Sequence, residues 1–342
     1  MTKKPKILLI YTGGTIGMVK DFKTGALKTF NFDELLKQIP EINLLNCKIE
    51  SISFRTPIDS SNMNIEHWIN LAEILENNYK NFDGFVVLHG SDTMAFTASA
   101  ISFMLENLNK PIIFTGSQLP IGDLRTDAKE NLITSIEIAS SQENGRSIVS
   151  EVCLYFEYKL YRGNRTTKVN SEHFQAFASP NLTPLAESGV HLKFNKQLQK
   201  KKETNKPLIV RKNLNRNIVI LKIFPGINKN IVESILSIKD LKGVILETYG
   251  SGNAPTEEWF LTVLEETLKK NIVIVNVTQC LSGSVIMGHY QTSERMKEMG
   301  IIDGKDITTE SALAKLMYML GQDIPKTGFK EIFETSIRGE IS

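Results

Sequence analysis

The chain is poor in the features that mark secreted, membrane-bound and nucleic-acid-binding proteins. Among 342 residues it has three cysteines, Cys47, Cys153 and Cys280, an odd number set far apart. That spacing supplies neither a disulfide framework nor a Cys/His metal set, and it points to a reducing, cytoplasmic compartment. No apolar run approaches the roughly twenty residues that cross a bilayer. The first one, Ile7-Leu8-Leu9-Ile10-Tyr11, is too short for a signal-peptide core and reads as a first strand. Charge of one sign is also missing. A net charge of +2 gives no electrostatic case for nucleic acid, and the basic run 196–206 lacks interleaved aromatics, reading instead as a solvated linker.

What is present is a regular alternation of short apolar runs and helix-period segments. Lys6–Tyr11, Ile49–Phe54, Gly84–Leu88 and Pro111–Ser117 read as strands. Between them, Ile65, Trp68, Ile69, Ala72 and Leu75 fall at helical spacing, with Asn64 as N-cap, and a second helix is expected over 95–107. A short helix is expected over 32–38. The rhythm restarts after 214 with strands at 218–223, 243–246 and 272–277 and helices at 230–238 and 257–269. These features predict an α/β protein with a doubly wound, mainly parallel sheet domain over residues 1–193. A linker at 194–214 and a smaller α/β domain over 215–342 follow it.

Two strand ends stand out. Thr12-Gly13-Gly14-Thr15-Ile16-Gly17 follows the first strand, and His89-Gly90-Ser91-Asp92-Thr93-Met94 follows Gly84–Leu88. In an open parallel sheet, ligands bind at the carboxyl ends of the strands. The first turn is not G-x-G-x-x-G, and no Gly-Lys-Ser/Thr follows, so a nucleotide phosphate site is not indicated. His89 has no second ligand at metal spacing and reads as a hydrogen-bonded core histidine. Asp92 would be costly to bury alone; it either caps the following helix or serves a site. The basic run Arg162–Lys168 reads either as a solvated turn or as the source of an ammonium, Lys168, that meets Asp92 and holds a hydroxyl between them.

With Asp59-Ser60-Ser61-Asn62-Met63 and Tyr161-Arg162-Gly163-Asn164-Arg165-Thr166-Thr167-Lys168, the two turns form four blocks in fixed order. Together they resemble the bacterial L-asparaginases, most closely the cytoplasmic type I branch. Blocks at 177–182, 249–255 and 278–283 continue the likeness over nearly the whole chain.

The resemblance implies hydrolysis of L-asparagine without metal or organic cofactor, in a homodimer or homotetramer. It casts Thr15 as nucleophile, Ser91, Asp92 and Lys168 as its companion set, and Asp59, Ser60 and Ser61 as substrate-binding residues beside Ser91 and Asp92. Asp92 is then a buried carboxylate facing the substrate ammonium. The chain departs from the family pattern in three places. Ser91 stands where threonine is usual. The segment 18–32 lacks the tyrosine that helps activate the threonine in many relatives. Glu247 stands where a basic residue accompanies a regulatory substrate site, so that regulation is not expected. Three other readings stay open: a glutamine-preferring amidase, the amidase subunit of a tRNA-dependent amidotransferase, and a non-catalytic amino-acid-binding sensor. The subunit usually carries an extra N-terminal domain, whereas the first block here starts at residue 12.

Overall fold

The computed structural model describes residues 4–20, 27–29, 39–200, 206–288 and 291–342, in two compact units, Met1–Lys212 and Asn213–Ser342. The helix expected over 32–38 and much of the tyrosine-free segment 18–32 lie outside the described residues.

The first unit is built on an eight-stranded sheet. Its strands in chain order are β1 (Lys6–Gly13), β2 (Lys48–Ile58), β3 (Gly84–Leu88), β4 (Ile112–Thr115), β5 (Val152–Phe156), β6 (Lys159–Arg162), β7 (Ala186–Glu187) and β8 (Lys193–Phe194). The spatial order is β8-β7-β6-β5-β4-β3-β1-β2. The five strands from β5 to β2 run parallel, and the other three are added antiparallel. β3, β4 and β5 are buried along their whole length, as strands covered on both faces must be, and this explains their unbroken apolar runs. The outer strand β2 buries only Phe54 and carries exposed Lys48, Glu50 and Arg55, with Pro57 half-buried.

Helices follow the strands as the sequence pattern expects. α1 (Ile65–Asn78) starts at Asn64, whose side chain accepts from the His67 amide at 3.1 Å. α2 (Met94–Met104) ends three residues before the expected boundary, because Leu105–Glu106 leaves the helix to pair antiparallel with Ile209–Val210. The residues expected as a linker therefore carry described structure: Phe194 lies on β8 and 209–210 forms this ladder, both within the first unit. α3 (Ala128–Ser140) packs Leu132, Ile136 and Ile138 into the core with Ile7, Leu9 and Tyr11.

The second unit has a four-stranded parallel sheet, β9 (Ile218–Lys222), β10 (Gly243–Thr248), β11 (Val273–Thr278) and β12 (Ile302–Asp303), in that order. Helices α4 (Lys229–Leu236), α5 (Glu258–Lys269), α6 (Gln291–Glu298), α7 (Thr309–Gly321) and α8 (Lys326–Phe333) alternate with and follow these strands. Glu247 on β10 is engaged by the Thr309 hydroxyl at 2.6 Å and by Lys222 at 3.5 Å.

An ion pair lies wholly inside this unit. Lys315 of α7 and Glu340 are both 0 % exposed. The ammonium also donates to the carbonyls of Phe333 at 2.7 Å and Thr335 at 2.8 Å. Glu340 in turn accepts from the amides of Ile337 at 3.0 Å and Arg338 at 2.6 Å. Every partner is satisfied, and the arrangement ties the last residues of the chain to α7. Removing one charge strands the other in a dry interior, which typically costs about 3–5 kcal/mol. Lys315→Met is expected to lower the stability of the second unit by about that amount, read as a shift in its urea denaturation midpoint.

His89, just past β3, is fully buried; its Nδ1 lies 2.7 Å from the Gly90 carbonyl, and its ring stands edge-on to Phe114. A carbonyl only accepts, so Nδ1 carries the proton in the neutral ring. Burial pushes the His89 pKa down to about 4. The unfolded chain therefore binds this proton below about pH 6.5, and the folded one only near pH 4. The stability it contributes is complete above pH 6.5 and is lost as pH falls toward 4, on the order of 3 kcal/mol in all. Denaturation midpoints measured between pH 7 and pH 4 are expected to fall more steeply for the wild type than for His89→Asn.

Candidate active site

The chain enters the parallel sheet at β1, steps to β2 on one side, and returns to β3 on the other. The order β2-β1-β3-β4-β5 thus reverses between β1 and β3, and such a reversal opens a crevice at the strands' carboxyl ends. Both glycine-rich turns emerge there.

The first turn is shaped by contacts that only glycine tolerates. Gly14 has φ +87°, and a Cβ there would come within 2.5 Å of the Gly90 Cα. A Cβ on Gly90 would lie 2.5 Å from the Ser60 hydroxyl oxygen and 3.4 Å from the Gly14 Cα. The Gly14 amide donates to the Ile58 carbonyl at 3.2 Å, and the Thr12 hydroxyl donates to the Leu88 carbonyl at 3.0 Å. Thr15 then opens a short 3-10 turn, Thr15–Gly17, anchored by the fully buried Ile16, while Thr15 itself is half-buried.

The third turn, Ser60–Asn62, follows β2. The Asp59 carboxylate accepts from the Ser61 amide at 2.9 Å, and the Ser60 carbonyl accepts from the Thr93 hydroxyl at 2.8 Å. Ser60 is buried, whereas Asp59 and Ser61 are exposed. Three chain segments are thereby stacked as Thr15's turn, the Gly90 turn and the Ser60 turn.

Lys168 reaches this stack from a distant segment. Its ammonium donates to the Ser91 hydroxyl at 2.9 Å and to the Asp92 carboxylate at 2.6 Å, across 76 residues. It is carried on a two-residue ladder, Thr167–Lys168 against Phe177–Ala178. The preceding residues Asn164, Arg165 and Thr166 are buried, and the Arg162 guanidinium pairs with Glu151 at 2.5 Å. The basic run is therefore no solvated turn; its packed base aims the lysine. Among the described residues no hydrogen bond joins Thr15 to Ser91, Asp92 or Lys168.

Asp92 departs from expectation. It was expected as a buried carboxylate, but its side chain is 62 % exposed, against 19 % for Lys168. The lysine covers one side of the carboxylate and solvent reaches the other. Nor does Asp92 cap the helix: α2 starts from Thr93 without a side-chain cap.

One residue at the centre escaped the sequence reading. The Gln118 side chain, in the loop after β4, accepts from the Ser91 hydroxyl at 3.3 Å and donates to the His173 carbonyl at 3.1 Å. Its backbone amide donates to the Asp127 carboxylate at 3.1 and 3.0 Å, as the Leu119 amide does at 3.2 Å. Asn131 bridges the same carboxylate to the Gly116 carbonyl. Burial pushes the Asp127 pKa up, against the pull of these donors. The available signal was positional, since Gly116-Ser117-Gln118 also follows a buried parallel strand.

The arrangement offers hydroxyls for nucleophilic and relay roles, a carboxylate open on one side, and an ammonium joining two of them. Among the described residues no group of three or more His, Cys, Asp or Glu side chains is placed to hold a metal ion. No described helix is long and apolar enough to cross a membrane.

Comparison with known proteins bears on the same segments. Residues 6–200 match the family model described as "Asparaginase, N-terminal", and residues 217–333 match "Glutaminase/Asparaginase C-terminal domain". The chain is 41 % identical over 349 residues to "L-asparaginase 1" of Escherichia coli K12, covering 99 % of each. It is 40 % identical over 364 residues to a Mus musculus protein named "60 kDa lysophospholipase", covering 63 % of that relative. Its structure superposes on L-asparaginase I from Vibrio cholerae with a TM-score of 0.90 at 36 % identity, covering 99 % of this chain and 100 % of the other. The turns that carry Thr15, Ser60, Ser91 and Lys168 all lie inside the first matched domain, and the chain belongs to the asparaginase family.

Proposed function

We propose that this protein hydrolyses the side-chain amide of L-asparagine to L-aspartate and ammonia, with Thr15 as nucleophile. The observation that carries the reading is the Lys168 ammonium, bonded to both the Ser91 hydroxyl and the Asp92 carboxylate beside the turn that bears Thr15. Membership of the asparaginase family supports the substrate class.

In this reading the substrate's α-ammonium meets the open side of Asp92. Ser60 holds the α-carboxylate, with Ser61 beside it and Asp59 bracing the turn through the Ser61 amide, so the substrate is gripped at its charged end and its amide carbon is left to Thr15. The Thr15 hydroxyl adds to that carbon, the C–N bond breaks, and ammonia leaves after protonation. The resulting ester is then cleaved by water, which restores Thr15 and releases aspartate. Backbone N–H groups of the two glycine-rich turns are suited to stabilise the oxyanion, since glycine lets the backbone approach closely. Lys168 donates to the Asp92 carboxylate and takes a lone pair of Ser91, so both groups stay in register through the two steps. Assembly as a homodimer or homotetramer, in the cytoplasm, belongs to the same reading and rests on the family likeness.

Purified protein is expected to release ammonia from asparagine, and Thr15→Ala to lower kcat by at least about a thousandfold while folding normally. A folded Thr15→Ala protein with wild-type turnover would exclude this nucleophile. Glutamine, one methylene longer, is expected to be about 10–200-fold poorer in kcat/KM, measured by the same ammonia assay; equal rates would mean a broader amidase. Lys168→Met is expected to cost about 100–1000-fold in kcat.

A further inference from the structure

We propose that Gln118 is a positioning residue that holds the Ser91 hydroxyl proton away from the reacting face; this rests on the amidohydrolase reading above. The argument is one of hydrogen-bond direction. Lys168 has only donors, so at 2.9 Å it takes a lone pair of Ser91. The His173 carbonyl has only acceptors, so the Gln118 group facing it at 3.1 Å is the amide NH2. That fixes the orientation of the carboxamide and turns its oxygen toward Ser91. The Ser91 proton then points to that oxygen, at 3.3 Å.

A serine hydroxyl has one proton and two lone pairs. With the proton committed to Gln118 and one lone pair to Lys168, the second lone pair is what Ser91 presents to a ligand or water. A water that donates one O–H to this lone pair is held with its oxygen free to face an ester on the neighbouring Thr15 turn. Without Gln118 the rotor is free, and the hydroxyl spends part of its time as a donor to that water.

The support for Gln118 is itself built into the core of the unit. Its amide nitrogen is clamped by Asp127 at the start of α3, and Asn131 in the next turn ties the same carboxylate to the backbone of the Gly116 loop. On its other side Gln118 lines a cleft of about 700 Å³ with Leu119, Arg125 and residues 171–174. The side chain is half-buried, so its amide can be removed without opening a core cavity. Water from the cleft then competes for the Ser91 proton.

Two variants test this. Gln118→Met keeps the length and removes the acceptor; Gln118→Glu keeps an acceptor for Ser91. The Met variant is expected to lose about tenfold in kcat for asparagine, with KM within about twofold and an unchanged urea midpoint. The Glu variant is expected to keep kcat within about threefold of the wild type. On mixing with asparagine, intact-mass measurement is expected to show more acyl-enzyme on the Met variant than on the wild type, because the water step is the one slowed. The inference is overturned if Gln118→Met keeps wild-type kcat. It is also overturned if both variants raise KM and lower the urea midpoint together, the pattern of a purely structural residue. An inactive wild type would instead overturn the amidohydrolase reading, before any variant is made.

Discussion

The rest of the site depends on two backbones passing closer than any side chain allows. Gly14 and Gly90 face each other where a single methyl group would collide, and Gly90 rests on Ser60 just as tightly. That stack converts three strand ends into one surface. Parallel strands in register bring their ends to the same level, but loops normally splay apart over the crevice they frame. Here the missing Cβ atoms let the Thr15 turn lie directly on the Ser91 turn. The energetic cost of two ordered glycines is offset by the fixed separation they impose.

Electrostatics then completes what packing begins. An ion pair with a carboxylate 62 % exposed adds little to folding stability, because water screens it. Its worth lies in orientation: the ammonium has three donors, and two are spent on groups adjacent in sequence, Ser91 and Asp92. Burial of residues 164–166 gives the lysine a rigid base, so the long side chain arrives from one direction only. The carboxylate's outer side stays available to a cationic group of matching size.

How much of this was legible in the sequence follows from the range of each interaction. The strand Gly84–Leu88 was readable to the residue, because a strand buried on both faces leaves an unbroken apolar run bounded by polar turns. Asn64 was readable as a cap because capping acts over three residues. The four motif blocks carried the family, and with it the meeting of Lys168 and Asp92. What remained hidden was set by tertiary contacts. α2 stops at Met104 because residues 209–210 compete for the following backbone. The exposure of Asp92 depends on which side Lys168 approaches from. Gln118 joins the site only through the Asp127 clamp, and no local pattern links a loop glutamine to a serine 27 positions earlier.

The outer strand β2 has a consequence beyond the site it feeds. Among the described strands it ends the sheet, and an open edge is a template on which foreign chains add, the usual first step to aggregation. Lys48, Glu50 and Arg55 place exposed charges along this edge, and Pro57 withholds one amide hydrogen just before the Asp59–Ser61 turn. An incoming strand would have to desolvate those charges and leave a ladder position empty. The fold can thus keep an open sheet edge whose carboxyl end leads directly into the Ser60 turn.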